Sequence, residues 1–243
     1  MAATETTTSK PLNAAELFDS VGKPYEEAFR DVPGQQRSLK WLISTLPPHS
    51  KILDIGCGTG RPACEMLSNA GHEVTGIDVS SVMVDTIPPP RNFPSSLTYL
   101  PQIETARSAV PTAKFHQANI LAWTPPHIYD AIIIYFSLIS SITQSEIREA
   151  FKKLYSLLSP GGVFIFGTVV VECEMKESKW MGRDCVVSGL SVEGNLEGIK
   201  EAGFEVIKFE EEVFVPKGVE AGLCEKGDVW EEPMLYVYAR KEG

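Results

Sequence analysis

The sequence predicts an α/β domain built on a mostly parallel sheet, and three observations predict it. Residues 51–55, Lys51-Ile52-Leu53-Asp54-Ile55, form a short β-branched run without helical period, as a strand buried on both faces does. Gly56, Gly58 and Gly60 follow at once, and residues 61–70 read as the helix after the turn. The 243 residues are 43% hydrophobic and 22% charged, enough to bury one full core without disulfides or metal, so a second domain is not expected. Strand, turn and helix units of this kind bind ligands at the carboxyl end of the strand.

Along the chain, residues 1–11 are rich in Thr and Ala and read as a disordered tail, leaving 12–243 as the domain. No basic segment precedes an apolar stretch at the start, so no secretory signal is expected. Residues 12–18 carry apolar side chains at helical spacing. Residues 24–30 place Tyr25 and Phe29 on one face at i and i+4, a second short helix. Residues 35–46 form the first helix of the domain proper, delivered into the strand by Pro47-Pro48. Between 86 and 101 stands a Pro-rich insertion, with Pro88, Pro89, Pro90, Pro94 and Pro101, unsuited to helix or strand. It is either a lid or interface loop, or a surface excursion without a chemical role. Ser188, Ser191 and Glu193 read as the start of a helix ending near Ala202, with Ser191 as its cap. Residues 201–206 lead from that helix into a strand, and residues 233–241 alternate as a last strand.

Charge and cysteine usage narrow the partners. The net charge is −10, with acidic clusters at 210–212 and at Glu231-Glu232, and no cationic face is evident, so nucleic acid is a poor partner. The longest apolar runs, 131–136 and 163–171, fall short of the ~18 residues of a membrane span, and no membrane partner is expected. Cys57, Cys64, Cys173, Cys185 and Cys224 show no C-x-x-C spacing and read as reduced thiols of a cytoplasmic protein.

Spacing within the glycine turn selects the ligand. A dinucleotide site carries G-x-G-x-x-G; counted from Gly56 this puts glycine at 61, where Arg61 stands, and counted from Gly58 at 63, where Ala63 stands. The pattern present is D-x-G-x-G-x-G from Asp54 to Gly60. An acidic residue there repels a pyrophosphate and suits a ligand with a cationic ammonium or sulfonium end.

This segment resembles motif I of the class I S-adenosylmethionine-dependent methyltransferases, and the resemblance continues roughly from residue 25 to residue 240. It implies a Rossmann-like, seven-stranded, mostly parallel sheet with helices on both faces and a C-terminal antiparallel strand pair. It also implies S-adenosyl-L-methionine as cofactor and S-adenosyl-L-homocysteine as its product. Asp54 with Gly56, Cys57, Gly58, Thr59 and Gly60 is then expected to anchor the amino-acid part of the cofactor. Residues 73–78 resemble the second strand, ending at Asp78, which in the family accepts from the ribose hydroxyls. A carboxylate about 20 residues past the glycines is what a ribose diol requires. Val79 and Met83 would flank the adenine. Residues 114–120 resemble the third strand and its turn, where Asn119 stands in place of the family's usual Asp and accepts through its amide oxygen, with Ile120 beside it. Residues 129–137 resemble the fourth strand, placing Tyr135, Phe136 and Ser137 near the sulfur, and residues 158–166 resemble the turn into the fifth.

In the same family the N-terminal helices, here within 12–46, fold over the cofactor as a lid. That would bring Tyr25 and Phe29 to the sulfonium or substrate and Arg30 to a substrate carboxylate; the alternative is a helix merely packed on the core. Residues 172–191 form the second substrate-side segment, where Trp180-Met181-Gly182-Arg183 mixes an aromatic, a thioether and a fixed cation suited to a planar or acidic small molecule. A core anchor plus a surface arginine is its bland counterpart. Phe136 completes the expected substrate set.

No catalytic residue is identified. His49, His72, His116 and His127 lie at strand starts, late in a strand or in a loop, and in-line methyl transfer needs a base only when the acceptor arrives protonated. Cys57 is not expected to act as nucleophile, since transfer from a sulfonium needs no enzyme thiolate. Tyr135-Phe136-Ser137-Leu138 supplies no carboxylate and amide cluster, so no metal is expected. The function implied is a secondary-metabolic, S-adenosylmethionine-dependent methyltransferase, monomer or homodimer, that methylates oxygen of a carboxylate or phenol in a small organic acid or natural product. Two alternatives stay open: a member of the fold that binds the cofactor without methyl transfer, as rearrangement catalyst or binding module, and an N- or C-methyltransferase.

Overall fold

The structure, a computed structural model, describes residues 10–84, 106–125 and 127–243. Most of the expected tail and the whole Pro-rich insertion fall outside the described residues. In chain order these form α1 (Ala14–Val21), α2 (Pro24–Ala28), α3 (Pro33–Thr45), β1 (Lys51–Ile55), α4 (Ala63–Asn69), β2 (Glu73–Asp78), α5 (Ser81–Val84) and α6 (Ala106–Ala109). There follow β3 (Lys114–Gln117), β4 (Tyr129–Tyr135), α7 (Gln144–Leu157), β5 (Leu158–Val169), β6 (Cys173–Trp180), β7 (Arg183–Gly189), α8 (Val192–Glu201), β8 (Glu205–Phe214) and β9 (Glu232–Arg240).

Among the described residues seven strands make one sheet in the order β3-β2-β1-β4-β5-β9-β8. The first five are parallel, and β9 runs antiparallel between β5 and β8. This is the mostly parallel sheet with a closing antiparallel pair that the sequence implies. Period-two alternation divides the core. Ile52, Ile133, Ile165, Tyr236 and Tyr238 face α3 and α4 through Leu39, Leu42, Cys64 and Leu67. Leu53, Ile132, Phe164 and Val237 face α7 and α8 through Phe151, Leu154 and Ile199. Among the described residues no helix is long and apolar enough to cross a membrane.

Local chemistry sets the boundaries. α3 begins at Pro33, where a missing N–H costs nothing, and α4 begins only after Pro62. The α8 cap is Ser191, whose hydroxyl accepts from the Gly194 amide at 3.0 Å. Ser188, expected in the same helix start, instead lies in β7 just before its last residue, with its hydroxyl accepting from the Met175 amide at 2.8 Å. Part of the 210–212 acidic cluster is paired rather than free: Arg37 donates to Glu210 at 3.1 Å and Glu212 at 2.9 Å, tying α3 to β8.

The segment 172–191 forms an antiparallel hairpin, β6 with β7, separate from the main sheet. Backbone bonds hold it over the loop after β4, with Ser141 N–H donating to Val186 O and Ser188 N–H to Ile139 O, each at 2.9 Å. Leu12 N–H donates to Asp184 O at 2.9 Å, so the hairpin also anchors the approach to α1.

Gly76, in the middle of β2, leaves room for the glycine turn: a Cβ there would stand 2.7 Å from Phe115 Cδ1 and 2.8 Å from Cys57 Sγ. Gly76→Ala is expected to cost about 1–3 kcal/mol through overpacking, read as a lower urea midpoint. An unchanged midpoint would show that the neighbours yield freely.

Candidate active site

The site lies at the carboxyl edge of the parallel strands, where β1 ends in the glycine turn. Gly56 N–H and Cys57 N–H both donate to Ile77 O, at 2.8 and 3.1 Å, which folds the turn onto β2. A Cβ at Gly56 would meet Ser137 Cβ at 2.5 Å, so only glycine lets the end of β4 pass this closely; Ser137 Oγ donates to Ile55 O at 3.1 Å. Gly58 N–H donates to Asp78 Oδ2 at 2.9 Å, and Ser80 N–H to Asp78 Oδ1 at 2.8 Å. Burial raises the Asp78 carboxyl, against these amide bonds that lower it. At Gly58 an added Cβ would meet nothing within 4 Å, so the backbone there stands open.

Asp54 is buried just behind the turn, accepting from Cys64 Sγ at 3.2 Å. Burial pushes it up to about 7, with the Cys64 bond opposing and Asp78 adding to the rise. The Cys57 thiol is pushed up to about 11 by burial, so it stays protonated near neutral pH. Thr59 Oγ1 donates to Glu26 at 3.0 Å, fastening α2 to the turn. On the next loop Asn119 spends its side-chain oxygen on its own turn, accepting from Leu121 N–H at 2.9 Å.

Two adjoining cavities occupy this edge. The larger, about 410 Å³, is lined by Gly56, Gly58, Asp78, Val79, Asn119 and Ile120 at one end, and by Phe18, Tyr25, Phe29, Phe136 and Trp180 at the other. The smaller, about 280 Å³, is lined by Asp54, Cys57, Thr59, Gln35 and Arg30, and shares Tyr25, Phe29, Gly56, Gly58, Tyr135 and Phe136 with the first. The aromatic end is a packed cluster: Tyr25 stacks on Phe29 at 4.6 Å between centroids, and Trp180 stands 6.1 Å from each. Phe136 holds a left-handed backbone, φ 55°, uncommon for an aromatic residue and found here where β4 leaves the sheet. Tyr135 is fixed by a 2.7 Å hydroxyl bond with Ser38.

Most of the sequence-predicted residues are brought together here, and three departures have physical reasons. Gly60 lines neither cavity; its open face packs toward Phe115 and Val110. Arg183 is not at the cavity either. Its guanidinium donates to Met181 O, Leu223 O, Ser20 O and Ser20 Oγ at 2.6–3.0 Å, which makes it a clamp between the hairpin, α1 and the loop before β9. Arg30 pairs with Glu27 on the exposed face of α2 while bordering the smaller cavity. Met83 falls in α5, and its side chain lies outside the described residues.

Glu232 was hidden in the sequence. It is buried, lines the larger cavity, and accepts from Trp180 Nε1 at 3.0 Å. Burial raises it to about 7 despite that bond. As half of an acidic pair it reads as solvated charge. The available signal was the period of β9: residues 232, 234, 236 and 238 share one face, and Met234, Tyr236 and Tyr238 are core residues.

Comparison with known proteins bears on what this site holds. Residues 29–208 match the family model of a methyltransferase domain. A putative methyltransferase, YqeM of Bacillus subtilis (strain 168), is 26% identical over 151 residues, 62% of this chain and 54% of that protein. Trans-aconitate 2-methyltransferase of Delftia acidovorans is 31% identical over 114 residues, 46% of this chain and 35% of that protein. The chain thus spans about half the length or less of these curated relatives. Among solved structures the [4+2]-cyclase SpnF superposes with a TM-score of 0.62 at 20% identity, covering 94% of each chain.

The buried Asp54 sets a stability test. Its folded-state pKa is above the ordinary carboxylate value, so its burial carries no charge penalty at low pH. The penalty grows as pH rises toward about 7 and is complete above it. Asp54→Asn is expected to stabilise the cofactor-free protein by about 1–3 kcal/mol at pH 8, with the gain vanishing toward pH 4. Urea denaturation at the two pH values measures this, and a gain equal at both would sink the assignment of a buried charge.

Proposed function

Since the chain belongs to the S-adenosylmethionine-dependent methyltransferase family, we propose that it transfers the cofactor's methyl group to an oxygen of a small, largely apolar organic molecule, a phenol or a carboxylic acid. The observation that carries this reading is the pair of joined cavities, with two buried carboxylates at the glycine turn and an aromatic chamber beyond. The donor set fits the cofactor's chemistry. A buried carboxylate held near neutrality, Asp54, calls for a cationic partner such as the ammonium, and Asp78 at the end of β2 calls for hydroxyl donors such as the ribose diol.

In this reading Asp54 and the open backbone around Gly58 and Thr59 would hold the amino-acid end, since the Gly56, Cys57 and Gly58 amides are already bonded to Ile77 and Asp78; Asp78 would hold the ribose, and Val79, Met83, Asn119 and Ile120 the adenine. When bound, the cofactor supplies an electrophilic methyl group on a sulfonium. Tyr135, Phe136 and Ser137 would lie on the sulfur side of the cofactor, while Tyr25, Phe29 and Trp180 would exclude water and orient a flat acceptor. Oxygen is favoured because a phenol or acid of low pKa is readily ionised. The relative from Delftia acidovorans is named for an acid acceptor, which supports the same class. The unpaired cysteines support action in the reducing cytoplasm.

A second reading is kept because SpnF, whose fold this chain shares, is named for a cyclisation. Calorimetry with S-adenosylmethionine and S-adenosylhomocysteine, followed by a label-transfer screen of phenols, organic acids and amines, separates the two. Binding with transfer to oxygen is the expected outcome; binding without transfer across the panel favours the non-transferring reading. Asp78→Ala is expected to weaken cofactor binding by about 1.5–3 kcal/mol, and unchanged affinity would defeat its ribose role.

A further inference from the structure

We propose that Glu232 is the general base of the transfer and selects as acceptor a neutral hydroxyl on a flat aromatic molecule, against carboxylates. This rests on the methyltransferase reading and narrows it. The side chain enters the aromatic chamber from the first residue of β9, between the walls formed by Trp180 and Tyr25. One carboxylate oxygen takes the Trp180 indole N–H, and among the described residues no other hydrogen-bond partner holds the group. A carboxylate so oriented, with a free acceptor oxygen in an apolar chamber, has the geometry of a base.

The surroundings decide which acceptor it serves. Among the described residues no Lys, Arg or His lines the chamber. Lys179, next to Trp180 in sequence, is exposed and does not line the chamber; Arg183 is committed to its four hydrogen bonds, and Arg30 borders the other cavity beside Glu27. A substrate carboxylate entering here would face Glu232 with no side-chain cation among the described residues to offset the repulsion, which is strong at low dielectric and which the S-adenosylhomocysteine complex, lacking the sulfonium, leaves unscreened. A phenol meets no such cost and brings the proton that a base removes. In the step, a lone pair on the acceptor oxygen forms the new C–O bond as the C–S bond breaks, with its electron pair passing to sulfur. The hydroxyl proton moves to Glu232 and then to solvent.

Other titratable groups line the same chamber: Tyr25 from α2, Asp78 at the end of β2, Tyr135 from β4, Glu146 from α7 and Cys185 from β7. Burial raises both tyrosines and the cysteine, which leaves them protonated near neutral pH. Asp54, in the adjoining cavity, titrates in the same range as Glu232, so rates must be compared at saturating cofactor.

The test is binding of 2-naphthol and 2-naphthoate to the S-adenosylhomocysteine complex at pH 8, by calorimetry, in the wild type and in Glu232→Gln. Glutamine still accepts the Trp180 bond. The wild type should prefer 2-naphthol by at least about tenfold, and Glu232→Gln should close that gap. With labelled cofactor, turnover of 2-naphthol should fall below pH about 7 in the wild type and fall at least about a hundredfold in Glu232→Gln, with the inflection lost. Trp180→Phe should move the inflection to higher pH, because the indole bond favours the ionised form. Equal binding of the two probes, a gap that survives Glu232→Gln, or an unchanged pH profile would overturn the proposal. Failure of the S-adenosylhomocysteine complex to form would instead count against the cofactor reading itself.

Discussion

The hydrogen bond from the Gly58 amide to the Asp78 carboxylate, 2.9 Å long, is the constraint on which the site depends. It joins the turn after β1 to the end of β2, adding a side-chain carboxylate to the two amide bonds that the Ile77 carbonyl accepts from Gly56 and Cys57. The turn can lie there because residues 56 and 76 have no Cβ: Ser137 fills the space above the first and Phe115 with Cys57 the space above the second. From this junction follow the opening at Gly58, the floor of both cavities and the approach of β4.

The site concentrates unfavourable electrostatics. Asp54, Asp78 and Glu232 are all buried and all raised by burial, and Asp54 and Asp78 raise further through nearby carboxylates. The left-handed backbone of Phe136 adds conformational cost at the same edge. Such a set is poorly explained by stability and well explained by a ligand that brings a cationic centre and hydroxyl donors. The large apolar core on both faces of the sheet offsets what these groups cost.

Closure of the chamber comes from elements that do not belong to the sheet. α1 is tied to the end of β2 through Asp19, which accepts from Ser80 and from the Val82 amide, and α2 is tied to the glycine turn through Glu26 and Thr59. The β6–β7 hairpin meets both from the other side, with Trp180 packed on Tyr25 and Phe29 and Arg183 bonded to Ser20. Tyr25 is therefore both a packing residue and a wall of the cavity, so the two readings its sequence position allowed are not exclusive.

By itself the sequence determined the parallel core, the glycine turn and its preference for a cationic ligand over a pyrophosphate. Each of these is local: a β-branched run, a spacing of glycines, an acidic residue at position 54. The Ser191 cap and the alternation of residues 233–241 were legible for the same reason. What the sequence could not decide was which distant residues meet at the carboxyl edge. Arg183 looked like a substrate-side cation, yet four oxygens from three separate segments capture it. Glu232 looked like surface charge, yet β9 runs antiparallel beside β5, with Met234 opposite Val169, so its first residue arrives where the parallel strands end. Only the insertion of that reversed strand into the sheet puts the carboxylate of residue 232 in a chamber whose other walls come from α1, α2, the glycine turn and the hairpin.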